Sequence, residues 1–156
     1  MNKLRIKEAA CVVVLLVFIL VLSTQNKQSS ADLQSVFDAV SGAVDVSALE
    51  DCAESRFKKE FGLDAQEFDD VRYLASDDVM EVRELLLVKL PQDNDGQVLL
   101  DRIKARVNDK AELFAGYAPE QSGYLESYVL LQRSGYVLYV VSDTPDEAVR
   151  AFKKAL

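Results

Sequence analysis

The sequence has no histidine and no tryptophan, and it has only two cysteines, three prolines and six glycines. Without histidine, the chain cannot form a Ser-His-Asp or Cys-His catalytic set, bind a metal through imidazole, or use an imidazole pH switch. It also has no GxSxG, Walker, GxGxxG or Cys-x-x-Cys motif. We therefore predict no catalytic residues, no metal site and no cofactor.

Basic side chains are scarce after the first 27 residues. Residues 28–156 carry 14 basic and 25 acidic side chains, a net charge of −11, whereas residues 1–27 carry a net charge of +3. A surface this acidic repels phosphate backbones, so we expect no nucleic acid partner. The apolar content of 49% and the charged content of 28% are typical of a globular protein with one domain.

One long apolar run is present, Ala9–Leu22, and three basic residues precede it. Its helical length of about 21 Å is shorter than a hydrocarbon core of about 30 Å, but the uncharged stretch continues to Asn26. We interpret residues 1–26 as an export signal or membrane anchor, 27–30 as a polar linker, and 31–156 as one extracytoplasmic domain. The basic residues place the N-terminus in the cytoplasm.

Two fates of this segment stay open. Val21 and Ser23 form only a fair cleavage signal, so we expect an uncleaved single-pass anchor in a bacterial cell membrane; the alternative is secretion after cleavage. Cys11 lies near the start of the apolar run, which argues against lipidation. Cys11 and Cys52 fall on different sides of this boundary, so we expect no disulfide and a buried, unreactive Cys52.

Hydrophobic periodicity predicts an α+β fold with the element order ααββαββα. The sheet is predicted to be four-stranded and antiparallel or mixed, with helices packed on it. Ser29 or Ser30 caps the first helix, and the second runs from Ser47 to Gly62. The predicted strands are 69–76, 82–90 and a hairpin around Ser134–Gly135; further helices begin at Gln97 and after Thr144, and Pro119 opens a short helical turn.

The strand at 82–90 is apolar on both faces, as is the strand after Gly135. A half-buried strand alternates apolar with polar residues, so both faces need cover. We expect the first two helices to cover one face and the later two the other. The alternative is an apolar face left for a partner or a second copy.

Three charged motifs have structural explanations. Asp143, Asp146 and Glu147 lie where a strand passes into a helix, and acids are favoured at a helix start. The DNDG loop at 93–96 resembles a calcium loop, but an EF-hand register would put Pro91 and Arg102 at ligand positions. Arg102, Arg106 and Lys110 form a helical stripe that could meet an anionic polymer; interspersed acids favour a solvated, salt-bridged face.

The second half of the chain contains three motifs: RELLLVKL at 83–90, GYAPEQSGYLES at 116–127 and SGYVLYVVSDTPDEAVRAF at 134–152. In this order and spacing they resemble the bacterial family catalogued as domain of unknown function 4358. The resemblance spans about residues 35–155 and implies an exported protein, often a lipoprotein. It implies no activity and no site residues, and this chain lacks a lipobox.

We predict a non-enzymatic envelope module that is tethered to the membrane and binds an envelope protein or glycan. The candidate binding surface is a tyrosine-rich turn with its neighbouring hairpin: Tyr117, Pro119, Glu120, Gln121, Tyr124, Tyr128 and Tyr136. Two alternatives remain: a glycan hydrolase that uses a pair of carboxylates, and a self-associating structural module.

Overall fold

The computed structural model describes residues 12–15 and 28–156 of the chain. Residues 28–156 form a five-stranded sheet with the order β1-β2-β3-β5-β4, in which every neighbouring pair is antiparallel. The α+β class is confirmed, and the sheet is antiparallel rather than mixed. The strands are β1 (Glu50–Asp51), β2 (Asp70–Ala75), β3 (Glu84–Lys89), β4 (Val129–Arg133) and β5 (Tyr136–Val141). The helices are α1 (Leu33–Ser41), α2 (Ala53–Phe61), α3 (Gln97–Ala115), α4 (Pro119–Glu126), α5 (Pro145–Ala155) and a 3₁₀ helix (Ala65–Glu67).

The predicted count of four strands misses β1. Its two residues pair with the end of β2, Glu50 with Ala75 and Asp51 with Leu74. We had predicted a helix from Ser47 onward, but α2 begins only at Ala53. A strand of two residues is too short to show alternation in the sequence, and it exists because β2 supplies a pairing edge.

Local signals account for several helix and turn boundaries. Asp32 caps α1, because its Oδ2 accepts a hydrogen bond from the Ser35 amide at 3.2 Å. Gly62 ends α2 in the left-handed conformation, with φ of 68°. The β4–β5 turn has positive φ at both central residues, 51° at Ser134 and 82° at Gly135, which is typical of a type I′ hairpin turn.

Helices cover both faces of the sheet. We call the side of the sheet to which Leu85 of β3 points the Leu85 face; it packs against α1 and α5. The opposite side, to which Leu86 points, is the Leu86 face; it packs against α2, α3 and α4. The expectation of cover on both sides is confirmed, but the predicted grouping of helices is wrong. The first helix packs with the last one, because their contact is set by tertiary topology and leaves no periodic signal.

The N-terminal predictions fall mostly outside the described residues. Of the predicted segment 1–26, the structure describes only Val12–Leu15, which are helical, and Cys11 lies outside. Within the described ranges, no helix combines the length and the apolar character needed to cross a membrane. Of the predicted linker, Gln28 and Ser29 are hydrogen-bonded to the domain rather than free of it.

Two glycines with positive φ allow a matched test of the packing beside α3. A Cβ added at Gly96 (φ 74°) would lie 2.8 Å from Leu90 Cδ1, whereas a Cβ at Gly62 (φ 68°) would meet nothing within 4 Å. Gly62→Ala should lower the free energy of unfolding by about 1 kcal/mol through backbone strain. Gly96→Ala should cost about 1 kcal/mol more, because the buried Leu90 must also move. Urea denaturation followed by circular dichroism measures both, and equal costs would contradict the clash.

Candidate functional site

A buried charge lies on the Leu86 face, at the end of the central strand where β3 begins. Glu84, the first residue of β3, is 1% exposed. In the sheet register Tyr73 on β2 and Tyr139 on β5 both pair with Leu86, so their side chains flank Glu84 diagonally. Two residues of α3, Arg106 and Lys110, and Glu60 of α2 complete what we call the ionic cluster: Glu60, Tyr73, Glu84, Arg106, Lys110 and Tyr139.

Both oxygens of Glu84 are fully used. Oε1 accepts hydrogen bonds from Arg106 Nη1 at 2.6 Å and from the Tyr139 hydroxyl at 2.7 Å. Oε2 accepts from Arg106 Nη2 at 2.9 Å and from the Tyr73 hydroxyl at 2.6 Å. A carboxylate has about four acceptor sites, so these donors satisfy it, and the bidentate Arg106 pair fixes its orientation.

Arg106 is held from a second side. Its Nε donates to Glu60 Oε2 at 3.0 Å, and its guanidinium carbon lies 5.0 Å from the centre of the Phe61 ring. Lys110 contributes a weaker contact, because its Nζ is 3.5 Å from Glu84 Oε1. The guanidinium therefore joins α2, α3 and β3 in one set of contacts.

The electrostatics keep this cluster in one protonation state. Burial alone raises the pKa of Glu84, but the charges of Arg106 and Lys110 and the hydrogen bonds from Arg106 and Tyr73 outweigh it and lower that pKa to about 2. Burial and the Glu84 charge raise the pKa of Tyr139 and of Tyr73. Burial lowers the pKa of Lys110, against the opposing effect of Glu84.

This arrangement favours structure over chemistry. A general acid or base needs a free proton position and access to a substrate. Glu84 is sealed and saturated with donors, and it stays ionised at neutral pH. Cys52 is buried, as predicted; burial raises the pKa of its thiol to about 11, and its Sγ lies 3.5 Å from the Tyr73 carbonyl.

Sequence reasoning missed the ionic cluster and misassigned two of its members, Arg106 and Lys110, whose side chains both contact the buried Glu84. Arg106 was predicted on a solvated stripe, but its side chain is only 9% exposed and pairs with Glu84; Arg102, one turn earlier, is exposed as expected. A signal was present in VRELLLVKL, where Glu84 falls on the same side of the strand as Leu86 and Val88. Its partner was not visible, because Arg106 lies 22 residues away.

Beside this cluster, a groove of about 540 Å³ opens at the surface. The β2–β3 connection (76–83), α2 and the C-terminal part of α3 form its walls. Four exposed apolar side chains line it: Val79 (86% exposed), Leu113 (62%), Tyr117 (54%) and Met80 (44%). We call this the apolar groove. Lys110 belongs to both the groove lining and the ionic cluster, so the cluster lies directly beneath the groove.

Charges of both signs surround the apolar side chains. The helical wall carries charges of both signs, Arg56, Lys59, Glu60 and Lys110, and the loop wall carries the acids Asp77, Asp78 and Glu81. Arg56 Nη1 and Asp77 Oδ1 are 3.6 Å apart, so the two walls are in contact at one end. The groove thus combines exposed apolar side chains with charged side chains of both signs.

The structure separates the predicted binding residues into four places: the apolar groove, the start of α4, the Leu86 face and the Leu85 face. Tyr117 lines the apolar groove, with its ring 5.2 Å from that of Phe114. Pro119 and Glu120 are exposed at the start of α4, and the Gln121 side chain accepts a hydrogen bond from the Val82 amide at 3.2 Å.

The other three tyrosines do not join this surface. Tyr124 and Tyr128 are half-buried against the Leu86 face, and Tyr128 packs at 6.0 Å from the Tyr139 ring. Tyr136 is buried on the opposite, Leu85 face, where its hydroxyl donates to the Ala31 carbonyl at 2.5 Å. Tyr128 and Tyr136 therefore lie on opposite sides of the sheet.

Val79, Met80 and Leu113 were not among the predicted residues. Val79 and Met80 follow Asp77 and Asp78 in a turn. An apolar pair in an otherwise polar turn was the sequence signal that could have indicated exposed apolar side chains there. Leu113 lies off the buried stripe of α3, which consists of Leu99, Ile103, Val107 and Phe114.

The other charged motifs keep their structural explanations. In the DNDG loop, Asn94 Oδ1 accepts from the Gly96 amide at 2.8 Å and Asp95 Oδ1 from the Gln97 amide at 3.0 Å. Asp146 and Glu147 lie in the first turn of α5. In residues 12–15 and 28–156, no group of three or more Cys, Asp or Glu side chains is arranged to hold a metal ion.

A family model described as domain of unknown function (DUF4358) matches residues 42–142. The chain belongs to this family. The match contains the ionic cluster, the apolar groove and the resembling motifs up to Ser142, whereas α1 and α5 lie outside it. Comparison with curated proteins and with solved structures finds no match.

Removal of Arg106 should reveal how strongly the fold depends on the ionic cluster. Arg106→Met removes the bidentate partner of the buried Glu84 and leaves only the longer contact with Lys110 as a counter-charge. Breaking a buried pair in this way typically costs about 3–5 kcal/mol of the free energy of unfolding. The double variant Glu84→Met/Arg106→Met should recover part of that loss, because it removes the buried carboxylate together with its main partner, while the Tyr73 and Tyr139 hydroxyls lose their acceptor. Denaturant titration measures both.

Arg102→Met is the matched control, because Arg102 is exposed on the same helix. It should change the free energy of unfolding by no more than about 0.5 kcal/mol. A small effect of Arg106→Met, or a double variant that loses as much as the sum of its single changes, would contradict the proposed dependence.

The lowered pKa of Glu84 predicts a defined pH dependence. A carboxyl group with a folded pKa below its unfolded value of 4.5 contributes stability above pH 4.5, and this contribution is lost as pH falls toward 2. Glu84→Gln should therefore be less stable than wild type at pH 7, and the difference should narrow between about pH 4.5 and pH 2. Denaturation curves across this range test it, and a constant difference would be inconsistent with an ionised Glu84.

Proposed function

We propose that this chain is a membrane-tethered, extracytoplasmic binding module without enzymatic activity, and that its apolar groove holds a segment of an envelope protein. Export and tethering are supported by the basic residues that precede the apolar run Ala9–Leu22. They are also supported by the contrast between the net charge of +3 in residues 1–27 and the net charge of −11 in residues 28–156.

The observation that carries the binding role is the grouping of apolar side chains in one concave place. Val79, Met80, Leu113 and Tyr117 are exposed together and line one groove, whose lining also includes Glu60 and Lys110 of the ionic cluster. Exposed apolar side chains that occur singly are ordinary, but a contiguous set with a polar rim is typical of an interaction site.

A protein segment fits this groove better than a sugar or a lipid surface. Its lining combines exposed apolar side chains with charges of both signs, which suits a peptide that carries both apolar and charged side chains. Of the tyrosine-rich turn, Tyr117 lines the groove, and Glu120 is exposed at the start of α4. The groove would then act as a pocket for one or two apolar side chains of the partner.

Two exposed residues of α3 provide a matched pair for a test. Leu113 in the groove and Val98 at the other end of the helix are both 62% exposed. Leu113→Ser should weaken partner binding by roughly 30-fold, which corresponds to about 2 kcal/mol for a binding hot spot. Val98→Ser should leave it unchanged. Crosslinking in intact producing cells, followed by affinity purification and mass spectrometry, measures both.

A protein that wild type and Val98→Ser enrich, and that Leu113→Ser and Tyr117→Ala lose, would support the proposal. Enrichment that survives both groove variants would exclude the groove as its binding site. Recovery of glycan alone would favour the glycan partner that the sequence also left open.

A further inference from the structure

The segment Gln28–Ala31, which we call the strap, is bound along one end of the domain. The Ser29 amide donates to the Ser134 carbonyl at 2.8 Å, and Gln28 Nε2 donates to the Leu90 carbonyl at 3.1 Å. Tyr136 reaches the Ala31 carbonyl from the Leu85 face. The strap therefore joins the domain at the β4–β5 turn.

Gly135 is shaped around this contact. Its φ is 82°, and an added Cβ would lie 2.7 Å from Gln28 Cγ. The turn and the strap are thus packed together closely enough that a side chain at Gly135 would displace one of them.

The strap and the apolar groove lie at opposite ends of the sheet. The β4–β5 turn is next to the end of β3, because Lys89 pairs with Tyr136. The β2–β3 connection, which carries Val79 and Met80, is at the other end, where Glu84 pairs with Val141. The six residues of β3 separate these ends by about 17 Å or more.

The distance between the apolar run and the strap is short. Only residues 23–27 separate Leu22 from Gln28, and a chain of this length spans at most about 20 Å. A domain of this size has a radius of gyration of about 14 Å and hence a diameter of about 35 Å. The tether is therefore too short to pass around the domain and bring the groove to the membrane.

We propose that the docked strap holds the hairpin end of the domain toward the membrane and presents the apolar groove away from it. This inference rests on the proposed membrane tether. It selects the class of partner: the groove binds a segment of a protein that lies outside the membrane, and it is not a site for the lipids of the membrane that anchors the chain.

The absence of tryptophan makes the orientation measurable in the full chain. A single tryptophan is placed either at the groove, by Val79→Trp, or at the hairpin turn, by Arg133→Trp; both positions are exposed. The full-length variants are reconstituted in vesicles of phosphatidylethanolamine and phosphatidylglycerol that contain dansyl-labelled headgroups. Flotation reports membrane attachment, and energy transfer from tryptophan to dansyl reports height above the bilayer.

Energy transfer from Arg133→Trp should exceed that from Val79→Trp severalfold. Adding Ser29→Pro removes the amide that donates to the Ser134 carbonyl and so lengthens the free tether. It should therefore narrow the difference in energy transfer between Arg133→Trp and Val79→Trp. Ser29→Ala retains that amide and should preserve the difference.

The outcomes distinguish the two proposals. Chains that fail to float with vesicles would overturn the membrane tether, and this inference with it. Chains that float but show equal transfer from both positions, or stronger transfer from Val79→Trp, would overturn the orientation alone. A difference that Ser29→Pro leaves intact would show that the strap does not set it.

Discussion

The ion pair between Glu84 and Arg106 organises the fold. It brings one charge from the central strand β3 and one from α3 into the interior, where two tyrosine hydroxyls and Glu60 complete the hydrogen bonding. Such a pair adds little net stability compared with apolar residues of the same shape. Its importance lies in what fails without it, because either charge left without the other keeps only its weaker partner, Lys110 for Glu84 and Glu60 for Arg106.

The same pair determines where α3 lies on the sheet. A bidentate guanidinium tolerates little rotation, so Arg106 fixes both the position and the rotation of the helix against β3. Leu113 follows Arg106 about two turns later, and Tyr117 lies just past the end of the helix; both reach the surface beside Val79 and Met80. The proposed binding groove therefore depends on a buried interaction that contributes nothing to its surface.

The predicted elements succeeded where the signal was local. The hairpin at Ser134–Gly135 follows from a glycine between two apolar strands, and the end of α2 follows from Gly62. The strand at β3 and the long helix α3 follow from periodicity over many residues. Predictions failed where a distant partner decided the outcome: β1 needs the edge of β2, and Arg106 leaves the solvated stripe because Glu84 is beneath it. Tyr128 and Tyr136 are eight residues apart, yet Tyr128 packs on the Leu86 face and Tyr136 on the Leu85 face.

Composition and pattern alone determined that this chain has no imidazole chemistry, that it carries an apolar N-terminal run before an acidic domain, that the domain is α+β, and that both sheet faces need cover. These properties depend on residue type and short spacing. Tertiary structure alone decided that α1 packs with α5, that Glu84 meets Arg106, that Leu113 and Val79 share one groove, and that the strap lies at the opposite end. Each of these pairs residues far apart in the chain, and no periodicity within one segment encodes which distant segment it will meet.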